Sequence, residues 1–200
     1  MLVKDLPLNK NINEFGDDTN QSVFSDTGVL TMEGTARVLN AIWIDAGAVK
    51  VPTSKPASIV DHGIGIAWEF SDATDDTVVF NMRLSNRMDR SVTPVILIGW
   101  SSAATEKVGV WQLEYLYTAA GEDTTAAADD TVEATGTTTP AQTNGFVASI
   151  FSIAAPGAND ICIHCRLKRL GADGDDTLSD TAELLGLCMQ FTSNKQGTAT

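Results

Sequence analysis

Residues 78 to 100 read VVFNMRLSNRMDRSVTPVILIGW, and the fold turns on the two halves of that stretch. In the first, Val78, Phe80, Met82 and Leu84 alternate with Val79, Asn81 and Arg83. That period of two belongs to a strand with one face in a core. The second half, from Pro94 to Trp100, is apolar almost without a break. Val95, Leu97 and Gly99 fall on one face and Ile96, Ile98 and Trp100 on the other, so both faces ask for cover. Arg83, Arg87 and Arg90 crowd in and beside the intervening turn. With many carboxylates available as partners, they read as a solvated or subunit-bridging arrangement rather than a ligand grip.

The same alternation continues on either side. WQLEYLY puts Trp111, Leu113, Tyr115 and Tyr117 on one face. DICIHCRLKRL puts Ile161, Ile163, Cys165 and Leu167 on one face and Cys162, His164, Arg166 and Lys168 on the other. IGIAWEF, GFVASIFSI and AELLGLCMQF complete the set, separated by Gly, Asp and Thr turns. No long amphipathic helix emerges. Short strands of this kind predict an all-β jelly-roll β-sandwich of about eight antiparallel strands. Residues 1–35 carry scattered apolar side chains with no period and predict an extended N-terminal arm. Residues 36–200 form the sandwich domain, with a long Thr/Ala-rich loop over 118–145 and room there for a short strand near Thr131 to Ala134.

The chain has 200 residues, 13 Lys and Arg against 26 Asp and Glu, and a net charge of -13. Such a balance disfavours nonspecific nucleic-acid binding, which neutralises phosphates with basic side chains. No stretch approaches the roughly 20 apolar residues of a membrane-spanning helix. The opening residues lack the apolar centre of a signal peptide, and three cysteines do not make a complete disulfide framework. Synthesis in a reducing cytoplasm is therefore expected.

Candidate chemistry is sparse. Cys162 and Cys165 point to opposite faces of a strand and cannot share a metal. A site from Cys162, His164 and Cys188 is geometrically conceivable, but free cysteine usually packs as a small hydrophobe. Asp173, Asp175, Asp176 and Asp180 supply oxygen for calcium, yet they lack the glycine and closing glutamate of an EF-hand loop and suit a polar turn. His62 reads as a turn histidine. No nucleophile elbow, phosphate-binding glycine loop or zincin motif is present. No catalytic residue, metal ligand or cofactor is expected.

From Val78 to Tyr117 the order of features is recognisable. A strand leads through Met88-Asp89 into the apolar strand Val95 to Trp100 with Ser101, and then into a strand bearing Trp111. Later, NDICIHCRLKRLGADGDDTLSDTAELLGLCMQF repeats the theme, with Asp176-Thr177 in the turn. This pattern, over roughly Pro56 to Phe191, resembles virion structural proteins of tailed phages and environmental viruses. The resemblance implies a jelly-roll sandwich that assembles, typically as a homotrimer, on a virion. Its role would be capsid decoration (cement) or a head- or tail-fibre module that binds a host-surface receptor or glycan. The implied partners are further copies of itself and the major capsid protein or neighbouring virion proteins, and the implied location is the phage head surface. It carries over no functional residues.

The doubly apolar strand fits assembly. Its second cover is expected from the arm, through Leu2, Leu6, Leu8, Phe15 and Phe24, or from a neighbouring subunit. The interface candidates are Ile96, Ile98 and Trp100, together with His164, Arg166 and Lys168. Covering three large apolar side chains would contribute several kcal/mol, at ~1.5–3 kcal/mol each.

Overall fold

The computed structural model describes residues 14–17, 19–24, 29–139 and 142–196. Eight strands carry the architecture: β6 (Gly65–Phe70), β7 (Thr77–Arg83), β8 (Val95–Ser101), β9 (Val108–Thr118), β10 (Asp130–Thr137), β11 (Val147–Ser152), β12 (Cys162–Arg169) and β13 (Ala182–Ser193). One sheet runs β11-β8-β13-β6 and the facing sheet β10-β9-β12-β7, all antiparallel. Each strand thus has a chain neighbour at the same rank in the other sheet, the double Greek key of a jelly roll. The first sheet is extended by β5 (Ser58–His62), hairpin partner of β6, and by β4 (Val38–Asp45). Strand β13 pairs with β6 through Ala182 to Leu184 and with β4 from Gly186 onward. A bulge at that changeover shifts its register against β8, adding one residue where the partner strand switches.

Alternation decides the core. Val78, Phe80, Met82, Trp111, Leu113, Tyr115, Ile163, Cys165 and Leu167 face inward from one sheet. They meet Phe70, Ile96, Ile98, Trp100, Phe151, Leu187 and Met189 from the other. Trp100 and Trp111 lie 5.7 Å apart, and Phe70 meets Trp111 edge-on at 5.0 Å, a favoured aromatic geometry. Tyr117 donates its hydroxyl to the Ala154 carbonyl, and the Ala154 amide donates to the Tyr115 hydroxyl. The two rings thereby clamp the segment after β11 onto β9.

Two expectations about the chain's organisation change. The 118–145 segment is not one loop: the short strand expected near Thr131 to Ala134 is the middle of β10, which pairs with β9 from Asp130↔Tyr115 to Thr137↔Val108. Its inward Gly136 is small for a physical reason. A Cβ on Gly136 would sit 3.0 Å from the Trp100 ring and 2.6 Å from the Ser149 hydroxyl, and one on Gly109 would sit 3.0 Å from the same ring. The indole occupies the volume that larger side chains on β9 and β10 would need. Gly136→Val is expected to cost about 1–3 kcal/mol by overpacking, read as a lower urea midpoint at unchanged m-value.

The arm also differs. Within 1–35, β1 (Glu14–Asp17) and β2 (Asn20–Phe24) form a hairpin closed at Asp17↔Asn20. Next, β3 (Leu30–Met32) pairs with both β2 and the C-terminal β14 (Lys195–Gln196). The pairing of β1 with β2, and of β3 with β2 and β14, leaves this segment a small sheet rather than an extended arm. Leu2, Leu6 and Leu8 lie outside the described residues, and Phe15 and Phe24 are described as backbone in β1 and β2.

Burial raises the pKa values of the Cys165 and Cys188 thiols and of the Tyr115 and Tyr117 phenols. An unfolded chain loses these protons near pH 8.5 for thiols and about pH 10 for phenols, while the native state keeps them. Stability is therefore full below the unfolded thiol value and falls as pH rises through that window. Urea midpoints should hold steady near neutrality and drop by about pH 10; a flat profile would show that these groups titrate alike in both states.

Candidate functional site

The apolar strand keeps its two faces, but the structure reverses which one is open. Ile96, Ile98 and Trp100 are wholly buried in the sandwich interior, where Trp100 Nε1 donates to Ser149 Oγ at 3.0 Å. They are core residues, and their expected place at a subunit interface is corrected. Leu184, Leu187 and Met189 of β13 and Val147 and Phe151 of β11 share that inward face, so its cover comes from the chain itself.

Val95, Leu97 and Gly99 point outward, and the register extends them into an apolar surface across four strands. Trp43 on β4 pairs with Cys188 on β13, Cys188 with Leu97 on β8, and Leu97 with Ile150 on β11. Paired residues share a face, so these four form one row. Trp43 is 69% and Ile150 56% exposed, whereas Cys188 is fully buried between them. Leu39, two steps beyond Ala41 on the same side of β4, is 68% exposed. Phe146, 61% exposed, lays its ring over Gly99, where a Cβ would meet it at 2.5 Å. Trp43, Ile150, Leu39 and Phe146 were not among the sequence candidates. The signal for Trp43 was its alternation with Ile42 and Ile44, which makes it the outward residue of an otherwise inward pair.

His164, Arg166 and Lys168 lie on the outer face of the other sheet, so the six interface candidates do not come together. Each ring nitrogen of His164 is engaged: Nδ1 with Asn81 Oδ1 at 3.0 Å and Nε2 with Thr118 Oγ1 at 3.1 Å. Because the amide oxygen can only accept, Nδ1 donates to Asn81, while the threonine hydroxyl can serve Nε2 as donor or acceptor. Arg166 pairs with Glu114 at 2.9 Å. Asn81, Glu114, His164 and Arg166 line a shallow groove of about 210 Å³, with Thr124 and Ala126 from the segment before β10 along its side. Cys162 donates to the Met82 carbonyl at 3.2 Å.

The acidic turn is a structural staple. Arg169 is wholly buried and spends all five N–H groups. Nε and Nη2 grip Asp176 at 3.1 and 3.0 Å, Nη1 donates to the carbonyls of Phe70 and Asp180, and Nη2 also reaches the Leu178 carbonyl. Asp176 accepts from the amides of Val110 and Leu178 as well. Asp173 and Asp180 accept from local amides, those of Asp175 and Thr181. Among the described residues, no group of three His, Cys, Asp or Glu side chains is placed to hold a metal ion.

The arginine-rich turn resolves similarly. Arg90 donates to the Gly157 carbonyl. The buried carboxylate of that turn, Asp89, takes Arg37 from ahead of β4 at 3.1 Å and accepts from the Ser91 amide and hydroxyl. At the far edge of the first sheet His62 Nδ1 contacts the Glu183 carboxylate, which ties the β5–β6 hairpin to β13.

No protein-family model matches the chain, and no curated protein matches it in sequence. Solved structures resemble it only distantly. The Glycosylation Associate Protein complex from Streptococcus agalactiae aligns at a TM-score of 0.45 and 7% identity, over 76% of this chain and 26% of that one. The CBM36-1 domain of a multidomain xylanase from the hindgut metagenome of Trinervitermes trinervoides aligns at 0.45 and 10%, over 80% and 100%. The heated full particle of Israeli acute paralysis virus aligns at 0.30 and 13%, over 82% and 73%. Likeness at this level says nothing about what the present chain does.

Proposed function

We propose that this chain is a structural protein of a phage virion. In this reading it is a decoration or cement protein that assembles as a homotrimer on the head surface and braces the shell beside the major capsid protein. The observation that supports it is the outer sheet face, where Trp43, Leu39, Phe146 and Ile150 are all more than half exposed. A contiguous apolar surface of that kind marks an interaction site on an otherwise soluble fold. The interior is well tied, through the Arg169–Asp176 staple and the Tyr115–Tyr117 clamp, as a brace requires. Purified virions should contain the protein in fixed stoichiometry, and particles lacking it should lose infectivity at a lower temperature. Absence of the protein from virions would overturn this reading.

A second reading, a fibre module that binds a host-surface glycan, has the groove around His164 and Arg166 in its favour. Its hydrogen-bonding side chains suit hydroxyls, although its one aromatic residue, Tyr115, belongs to the core. A glycan array would return signal that Arg166→Ala abolishes if this reading holds, and no signal if it does not.

A further inference from the structure

Resting on the assembly reading above, we infer that the outer face of the first sheet is where one copy of this chain meets the next. Trp43 and Leu39 of one copy seat between the Trp43 and Ile150 ridges of its neighbour.

Three observations favour a second copy as the occupant. The first is charge. In the three central rows of the face, from Asp45–Gly186–Gly99–Ala148 to Ala41–Gln190–Val95–Ser152, a single charged side chain occurs. That residue, Asp45, is already turned to cap the 3-10 turn Ala46–Ala48 by accepting from the Ala48 amide. The whole chain carries 26 Asp and Glu for a net -13. A molecule so acidic repels its own copies wherever acids face each other, so it can meet itself only on a surface cleared of them. A basic partner would instead be drawn to the acidic surfaces.

The second is relief. The face holds both knobs and a seat: Trp43 and Leu39 stand proud on β4, Ile150 and Phe146 on the opposite side, and fully buried Cys188 with half-buried Leu97 lies low between. Strands β4 and β11 are three strand spacings apart, about 14 Å, wide enough for one neighbouring ridge. Knob and seat on one surface make the face complementary to itself, as a contact between two copies requires.

The third is area. At 69%, 68%, 61% and 56% exposure, the four proud side chains present about 500 Å². That is over half of the ~800 Å² each partner gives to a standard interface.

The experiment is light scattering on the full-length chain across concentration, with Trp43→Asp and Ile150→Asp, and Lys168→Glu on the other sheet as a control. Both substituted positions are exposed, so the monomer should keep its circular dichroism. The unsubstituted chain should be an oligomer, each face variant a monomer with a dissociation constant raised at least about 100-fold, roughly the loss of one well-buried hot spot, and the control unchanged. An oligomer that persists in both variants would overturn the inference while leaving the virion reading standing. A monomeric unsubstituted chain would overturn it as well. If deleting residues 1–13 then produced an oligomer, the occupant would be the chain's own N-terminal segment. Absence from virions, by contrast, would sink the virion reading without touching self-association.

Discussion

Arg169→Ala is expected to remove about 3–5 kcal/mol of folding stability, the cost of breaking one side of a buried, fully bonded ion pair. The loss follows from geometry. Without the guanidinium, the Asp176 carboxylate remains buried with only two backbone amides, and the carbonyls of Phe70, Leu178 and Asp180 lose their donor together. Those carbonyls lie on β6 and on the β12–β13 connection, so one side chain ties both sheets at that end of the sandwich. A domain with 5–15 kcal/mol in total would be left marginal. Urea unfolding should show the loss in the midpoint at constant m-value. The double variant Arg169→Met with Asp176→Leu should regain part of it, because no lone charge then stays buried, but not all, because the Val110 amide loses its acceptor and the carbonyls of Phe70, Leu178 and Asp180 still lack their donor. Equal stability of Arg169→Ala and the unsubstituted chain would mean that the staple is not formed in solution.

The second large effect is expected at Trp100. Trp100→Ala should cost about 3–5 kcal/mol, the transfer and cavity terms for a large buried aromatic. Its neighbours cannot collapse into the space, since Gly109 and Gly136 line one side and Ser149 would lose the donor it now accepts from. Gly136→Val in the Trp100→Ala background should be less harmful than alone, because the indole is gone while the contacts with Ser149 and Val147 remain. Additive costs in that double mutant would show that the glycine answers Ser149 and Val147 rather than the indole.

Much of the sandwich was legible because period-two alternation is a direct imprint of a one-sided core. Val78 to Leu84, Trp111 to Tyr117 and Ile163 to Leu167 face the interior as their spacing requires. Where the reading failed, the local signal was ambiguous. Both faces of Val95 to Trp100 are apolar, so alternation cannot say which is inside; the facing partners decide it, and Trp100 goes inward because Gly109 and Gly136 leave room. Strand β10 was legible only near Thr131 to Ala134, since it is rich in threonine and alanine and its inward Gly136 is small to admit that same indole. The arginine turn and the acidic turn each contain a buried carboxylate paired with an arginine outside the turn, Asp89 with Arg37 and Asp176 with Arg169. Composition shows the charges but not the pairing. The open face was half legible: its need for cover followed from one strand, whereas Trp43 and Ile150 joined it only through the register of β4 and β11.

The most direct test of self-assembly through this face is the accessibility of Trp43 to an aqueous fluorescence quencher across protein concentration, measured against Trp43→Phe to isolate its signal. Trp100 and Trp111 are wholly buried and Trp68 is half-buried with its Nε1 bonded to the Ala46 carbonyl, so Trp43 is the indole that assembly would shield. It should be protected in concentrated protein and become freely quenched on dilution. Quenching that does not change with concentration would contradict the account.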